Sequence, residues 1–117
     1  MAVILYAEDH PPAQLLMQAI IGDLTQHHIE LAATGEEAER MAAQLLPALY
    51  IVDLDLPDTD GLALAQALRA IHPAPVLLVS AYAEAVKESQ FQTLVTAYLP
   101  KPLDPEYVAE TIERTLA

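Results

Sequence analysis

Cysteine is absent from the 117 residues, so neither a disulfide framework nor a thiolate metal site is available, and compartment cannot be read from redox chemistry. Glycine is scarce. Gly22, Gly35 and Gly61 are the whole supply, and no glycine-rich phosphate loop of the dinucleotide or P-loop kind can be built from them. Basic residues are nearly as rare: five lysines and arginines stand against seventeen acids, a net charge of -12. Such a surface repels nucleic acid phosphates and anionic lipid, so direct nucleic acid binding and membrane binding are not expected. Long apolar runs are missing too. No window approaches the roughly 20 residues needed to span a bilayer. The opening Met1-Ala2-Val3-Ile4-Leu5-Tyr6 lacks a basic leader and its apolar stretch stops at Glu8. A soluble, cytoplasmic protein is the expectation.

What is present is order. With 54% apolar residues, disorder is not expected. Residues 1–117 read as one domain, long enough to bury roughly two thirds of the unfolded surface. Short apolar runs alternate with longer amphipathic ones, without repeats or linkers. Strands are predicted at 3–7, 29–33, 49–53, 76–80 and 97–99. Helices are predicted at 11–24, 35–46, 61–71, 83–93 and 104–116. Pro11-Pro12 suits a first helical turn. Thr34 with Glu37 three positions on reads as a capping box, Pro47 ends that helix, and Asp104-Pro105 opens the last one. The run 76–80 is almost wholly apolar, as a strand covered on both faces should be. Strict alternation of five strands and five helices implies an α/β fold, a doubly wound five-stranded parallel sheet with right-handed crossovers and helices on both faces.

Chemistry gathers where these strands end. Glu8 and Asp9 follow the first, Asp53 closes the third, Ser80 closes the fourth, and Lys101-Pro102 follows the fifth. In an open parallel sheet the carboxyl ends share one edge, which is where ligands bind. A single acid at a strand end is commonly a turn or helix cap, and a single loop lysine is commonly just exposed. Two adjacent acids facing a third are different. Like charges about 5 Å apart repel by about 3 kcal/mol at an effective dielectric near 20, so something positive should offset them. Oxygen-only ligands at an open site favour Mg2+, and Lys101 is a second source of positive charge. Such a constellation can hold a divalent cation and receive a phosphoryl group on a carboxylate. Glu36, Glu37, Glu39, Glu106, Glu110 and Glu113 read as solvated helix positions. Asp58 and Asp60 are set apart by crowding the sequence just after Asp53. None of His10, His27, His28 or His72 reads as a phosphodonor; all four are expected at the surface or in loops.

Glu8-Asp9, Asp53, Ser80-Ala81 and Lys101-Pro102, with the tract from Asp53 through Pro57 to Gly61, resemble the receiver domain of two-component response regulators, over the whole chain. The resemblance implies a flavodoxin-like sheet of order 2-1-3-4-5 and an aspartyl phosphate at Asp53. It implies Mg2+ held by Asp9, Asp53 and the backbone carbonyl of Asp55, with Glu8 acting through water, and phosphoryl contacts from Ser80 and Lys101. Tyr98 matches the aromatic switch position beside Ser80. The implied partners are a sensor histidine kinase or a histidine phosphotransfer protein upstream and an output domain or protein downstream. The implied role is a phosphoacceptor switch that catalyses its own phosphorylation and slow dephosphorylation. Two positions depart from the family's habit: Leu94-Val95 stands where receivers often carry Gly-Ala, and Asp55 is an acid where an apolar residue is common. Val86, Val108 and Ile112 offer either a homodimer face across the last helices or a core face.

Two rival readings come from other classes. Asp53-Leu54-Asp55 fits the nucleophile pair of a haloacid-dehalogenase-like phosphatase, though Pro57 stands where such enzymes carry Thr or Val. An inert interaction module would bind no Mg2+ at millimolar concentration.

Overall fold

Alternation within the short apolar runs decides the architecture. The computed structural model describes residues 1–81 and 94–117. Within them, β1 (Val3–Ala7), β2 (His28–Ala32), β3 (Leu49–Asp53), β4 (Val76–Ser80) and β5 (Ala97–Pro100) form one parallel sheet of order β2-β1-β3-β4-β5. Four helices are described: α1 (Pro11–Leu24), α2 (Gly35–Leu45), α3 (Gly61–Ile71) and α4 (Pro105–Leu116). The helix expected at 83–93, with Val86, lies outside the described residues. Both the fold class and the strand order match expectation, and β2 begins one residue earlier than predicted. Among the described residues no helix is long and apolar enough to cross a membrane.

Because successive strand residues point to opposite faces, each buried strand feeds two cores. Ile4, Tyr6, Ile51 and Val79 pack on one face with Met17 and Ile21 of α1 and with Val108 and Ile112 of α4. Leu5, Tyr50, Val52 and Leu78 pack on the other with Ala38 and Ala42 of α2 and with Leu64 and Leu68 of α3. Val108 and Ile112 are therefore core residues and not a dimer face (1% and 0% exposed). Leu94 and Val95 also contribute apolar side chains to the α2–α3 face.

The helix starts follow sequence chemistry. The Thr34 side chain accepts the Glu37 N–H, as a capping residue should, but the Glu37 carboxylate reaches the Ala33 N–H, one residue earlier than the usual box. Asp104 caps α4 ahead of Pro105 by accepting the Glu106 N–H. At the end of α2, Leu46 adopts a left-handed conformation (φ 47°) before Pro47.

Tyr50 locks the central strand to a helix end. Its buried hydroxyl donates to the His72 carbonyl at 2.7 Å, with the Leu68 carbonyl 3.1 Å away. The strand carrying Asp53 is thereby pinned to the far end of α3. Tyr50→Phe should lower unfolding stability by about 1–3 kcal/mol, the usual cost of leaving a buried carbonyl unpaired. Urea denaturation measures it, and an unchanged midpoint would contradict this account of the hydroxyl.

Candidate functional site

Parallel register assembles the site. Ala7 pairs with Val52 and Asp53 with Val79, so Glu8, Asp53 and Ser80 emerge together at the carboxyl edge. Ser80 pairs with Pro100, which brings Lys101 to the same edge, and the Lys101 N–H donates to the Ser80 carbonyl at 3.1 Å. The Lys101-Pro102 peptide bond is cis. Glu8, Asp53 and Ser80 are 1%, 2% and 3% exposed, which is unusual burial for two carboxylates.

Lys101 Nζ lies 2.6 Å from Asp53 Oδ2 and 3.6 Å from Glu8 Oε1. The other Asp53 oxygen, Oδ1, accepts the Asp55 N–H at 2.7 Å. Glu8 is held by its own set of partners. Its Oε2 accepts the Asp9 N–H at 3.1 Å, its backbone carbonyl accepts Gln14 Nε2–H at 2.5 Å, and the Tyr6 hydroxyl stands 3.5 Å from Oε1. Two carboxylates thus share one ammonium.

The electrostatics follow. Burial first, then the neighbouring Asp53, raises the Glu8 pKa to about 7 against an ordinary 4.5; Lys101 offsets only part of this. Burial alone would lower the Lys101 pKa, but the Asp53 contact, reinforced by Glu8, outweighs it and holds the ammonium above its usual value. Burial and the same two carboxylates push the Tyr6 hydroxyl upward, so it stays a donor.

Of the three carboxylates, Glu8 and Asp53 are buried together, while Asp9 is exposed between β1 and α1. Among the described residues no three acidic or histidine side chains form a ready-made metal cage. The donor set nevertheless fits Mg2+: oxygen ligands only, and two buried carboxylates that share a single ammonium. Tyr98 sits half-buried on β5, paired with Leu78 and packed against the α2–α3 face of the core.

The acids after Asp53 have different tasks. Asp60 caps α3 by accepting the Ala63 N–H at 2.8 Å. Asp58 accepts the Gly35 N–H at 2.8 Å and the Glu36 N–H at 3.0 Å, and these bonds hold its pKa low. Asp55 is exposed and meets Asp53 through its amide, so no pair of side-chain carboxylates forms there. Gly61 is required by close approach: a Cβ would lie 2.5 Å from the Asp53 carbonyl oxygen. The loop is closed behind it by the Gly61 N–H bonded to the Leu54 carbonyl at 2.8 Å.

Sequence reasoning missed Tyr6, Gln14 and the Asp58 bonds. The two-residue strand period already placed Tyr6 on the face of Glu8, and Asp60-Gly61 before an apolar periodic run is a capping signal. Nothing in the sequence marked Gln14.

A parallel sheet of this order, with a buried acid pair facing a lysine at its carboxyl edge, defines a single-site α/β domain of the flavodoxin-like kind. The chain belongs to the response regulator receiver domain family, whose profile matches residues 4–113. It is 31% identical over 97% of its length to response regulator Rre1 of Synechocystis sp., covering 51% of that protein. It is 32% identical over 91% of its length to the signal transduction histidine-protein kinase BarA of Escherichia coli, covering 12% of it. The chain spans about half or less of the length of these curated relatives. Among solved structures, the chemotaxis protein CheY4 of Vibrio cholerae superposes with a TM-score of 0.90 at 25% identity, covering 99% of both chains. The response regulator TrrA of Thermotoga maritima, solved in complex with Mg2+ and a beryllium fluoride, superposes at 0.88 with 24% identity over 99% of this chain and 100% of that one. The domain formed by this chain is a phosphorylation-dependent signalling switch of the two-component type. The dehalogenase-like phosphatase reading finds no support.

The Glu8 shift has a consequence for stability. Between pH 4.5 and about 7 the folded chain keeps on Glu8 a proton that the unfolded chain has lost. Its contribution to stability is therefore full below pH 4.5 and is lost as the pH rises through 7. In chelator, the stability difference between wild type and Glu8→Gln should shift across that window, the wild type losing ground as pH rises. A difference that stays flat from pH 4 to 8 by urea denaturation would contradict the assignment.

Proposed function

We propose that Asp53 accepts a phosphoryl group from a phosphohistidine on a sensor histidine kinase or histidine phosphotransfer protein, and that this changes the surface shown to an output domain or protein. The observation that carries the reading is the Lys101 ammonium held 2.6 Å from Asp53 Oδ2 beside buried Glu8, at the carboxyl edge of the sheet. A carboxylate oxygen of Asp53 attacks phosphorus as the P–N bond of the donor breaks, and that electron pair returns to the imidazole nitrogen. The receiver domain spans residues 1–117, and a cytoplasmic location follows from such partners. The net charge of -12 disfavours direct nucleic acid contact by this chain.

Glu8, Asp9, Asp53 and the Asp55 backbone carbonyl would hold Mg2+. When bound, this ion supplies positive charge to the oxygens of the transferring group, the main requirement of phosphoryl transfer. Lys101 reaches the same oxygens and aligns them for attack. The Asp55 N–H orients the acceptor carboxylate. An apolar groove of about 410 Å³, lined by His10, Pro12, Ala13, Leu16, Lys101, Pro102 and Leu103, opens beside the site and leaves room for a donor to approach. The domain thus catalyses its own phosphorylation, and water slowly reverses it.

Transfer adds roughly one negative charge and new acceptor oxygens. Charge-assisted hydrogen bonds from Ser80 and Lys101 contribute about 1.5–3 kcal/mol each. Their sum approaches the roughly 5.5 kcal/mol that takes a two-state equilibrium from 1:99 to 99:1. Lys101 must leave its partners in the Asp53–Glu8 pair to make its bond, so modification also redistributes charge at the edge. Ser80 drawn inward makes space for Tyr98 and reshapes the surface near α4.

Asp53→Asn should abolish Mg2+-dependent labelling by radiolabelled acetyl phosphate; persistent labelling would remove Asp53 as the acceptor. Lys101→Ala should still bind Mg2+ by titration yet lose the conformational response. Amide NMR shifts induced by beryllofluoride that equal those of wild type would refute this role for Lys101.

A further inference from the structure

We propose that Asp58 is a positioning residue for phosphoryl transfer: by clasping the first amides of α2, it fixes the β3–α3 loop so that the Asp55 N–H stays on Asp53 Oδ1. The inference rests on Asp53 being the acceptor, and it extends that reading to a residue in another part of the loop.

The loop at 54–60 has an electrostatic problem. It carries Asp55, Asp58 and Asp60 directly after Asp53, with no basic residue among them. Left to itself, such a segment would expand by self-repulsion and carry the Asp55 amide off the acceptor. Two of its charges are instead committed to helix starts, whose free N–H groups and dipoles favour carboxylates. Asp60 takes the start of α3 in its own chain direction. Asp58 reaches across to a different unit, with one oxygen on the Gly35 N–H at 2.8 Å and the other on the Glu36 N–H at 3.0 Å. The Thr34 hydroxyl occupies the next amide, that of Glu37, at 3.1 Å. Both oxygens of Asp58 are thus used, and the contact resists rotation in a way a single bond would not.

An independent steric observation points the same way. A Cβ on Gly35 would lie 2.5 Å from Thr59 Cγ2 and 3.3 Å from an Asp58 carboxylate oxygen. The loop therefore lies directly on the glycine, seated by shape as well as by charge. From this seat the chain returns through the Asp55–Asp60 bridge and the Gly61–Leu54 bond to the carboxyl end of β3. Within the loop, the chain meets the Asp53 side chain at the Asp55 amide, 2.7 Å from Oδ1. Loss of the clasp should loosen that amide before it disturbs the core, because Asp58 is exposed and belongs to neither core cluster.

The test compares wild type, Asp58→Asn, Asp58→Ala and Gly35→Ala, each with acetyl phosphate and Mg2+. A displaced acceptor partner of this kind can cost on the order of tenfold or more in rate. Asp58→Ala should lower the maximal labelling rate about tenfold, with the half-saturating acetyl phosphate concentration unchanged. Asp58→Asn, which keeps one oxygen acceptor, should fall between. Amide hydrogen exchange, measured without any phosphodonor, should quicken at Gly35, Glu36 and Asp55 together in Asp58→Ala. Gly35→Ala leaves the carboxylate intact but unseats the loop, and should reproduce the faster exchange at Asp55. Wild-type labelling that survives Asp53→Asn would overturn the acceptor and this inference together. If Asp53 is the acceptor and Asp58→Ala labels at the wild-type rate, only the inference falls. Slow labelling with unchanged exchange at Asp55 would also overturn it.

Discussion

Two carboxylates buried side by side with one ammonium between them set the terms for the rest of this molecule. Glu8 and Asp53 are 1% and 2% exposed, and Lys101 is the only cation within reach of either among the described residues. Water cannot screen the pair, so its repulsion is felt, and Glu8 responds by holding its proton up to about pH 7. A domain carrying -12 overall thus concentrates an unmet demand for positive charge at one point on its surface. An incoming cation answers that demand.

The surrounding structure is arranged to keep this unfavourable cluster in place. The two central strands are buried on both faces, so neither Glu8 nor Asp53 can move outward without pulling apolar residues into water. Tyr50 fastens β3 to the end of α3, and Gly61 admits the loop against the backbone of Asp53. The remaining acids of the loop are drawn off to the starts of α2 and α3. Rigidity below the site and dispersed charge beside it have the same effect: the Asp53 carboxylate stays where a lysine and an amide can both touch it.

Receiver domains similar to this chain are found both within longer proteins and in CheY4, which this chain covers over 99% of its length. The curated relatives include a histidine kinase and the positive alginate biosynthesis regulatory protein of Pseudomonas aeruginosa, of which the chain covers 12% and 46%. The domain itself carries the buried Glu8–Asp53–Lys101 cluster at the sheet edge and a half-buried tyrosine, Tyr98, on the edge strand next to Ser80's own.

Periodicity and chain order carried most of the fold. Apolar runs of strand length between amphipathic segments permit few arrangements, and all five strands and the described helices fall within a residue of their predicted limits. Glu8, Asp53, Ser80 and Lys101 were legible for the same reason: each ends a strand, and parallel strands share an edge. Tertiary structure decided what one-dimensional order leaves open. It placed Asp9 outside the buried pair, turned Val108 and Ile112 inward, and gave Asp58 and Asp60 to helix starts rather than to the site. Those outcomes depend on contacts between segments far apart in the chain, such as Asp58 with Gly35. A carboxylate's partner there is chosen by which free amide the folded backbone brings within 3 Å.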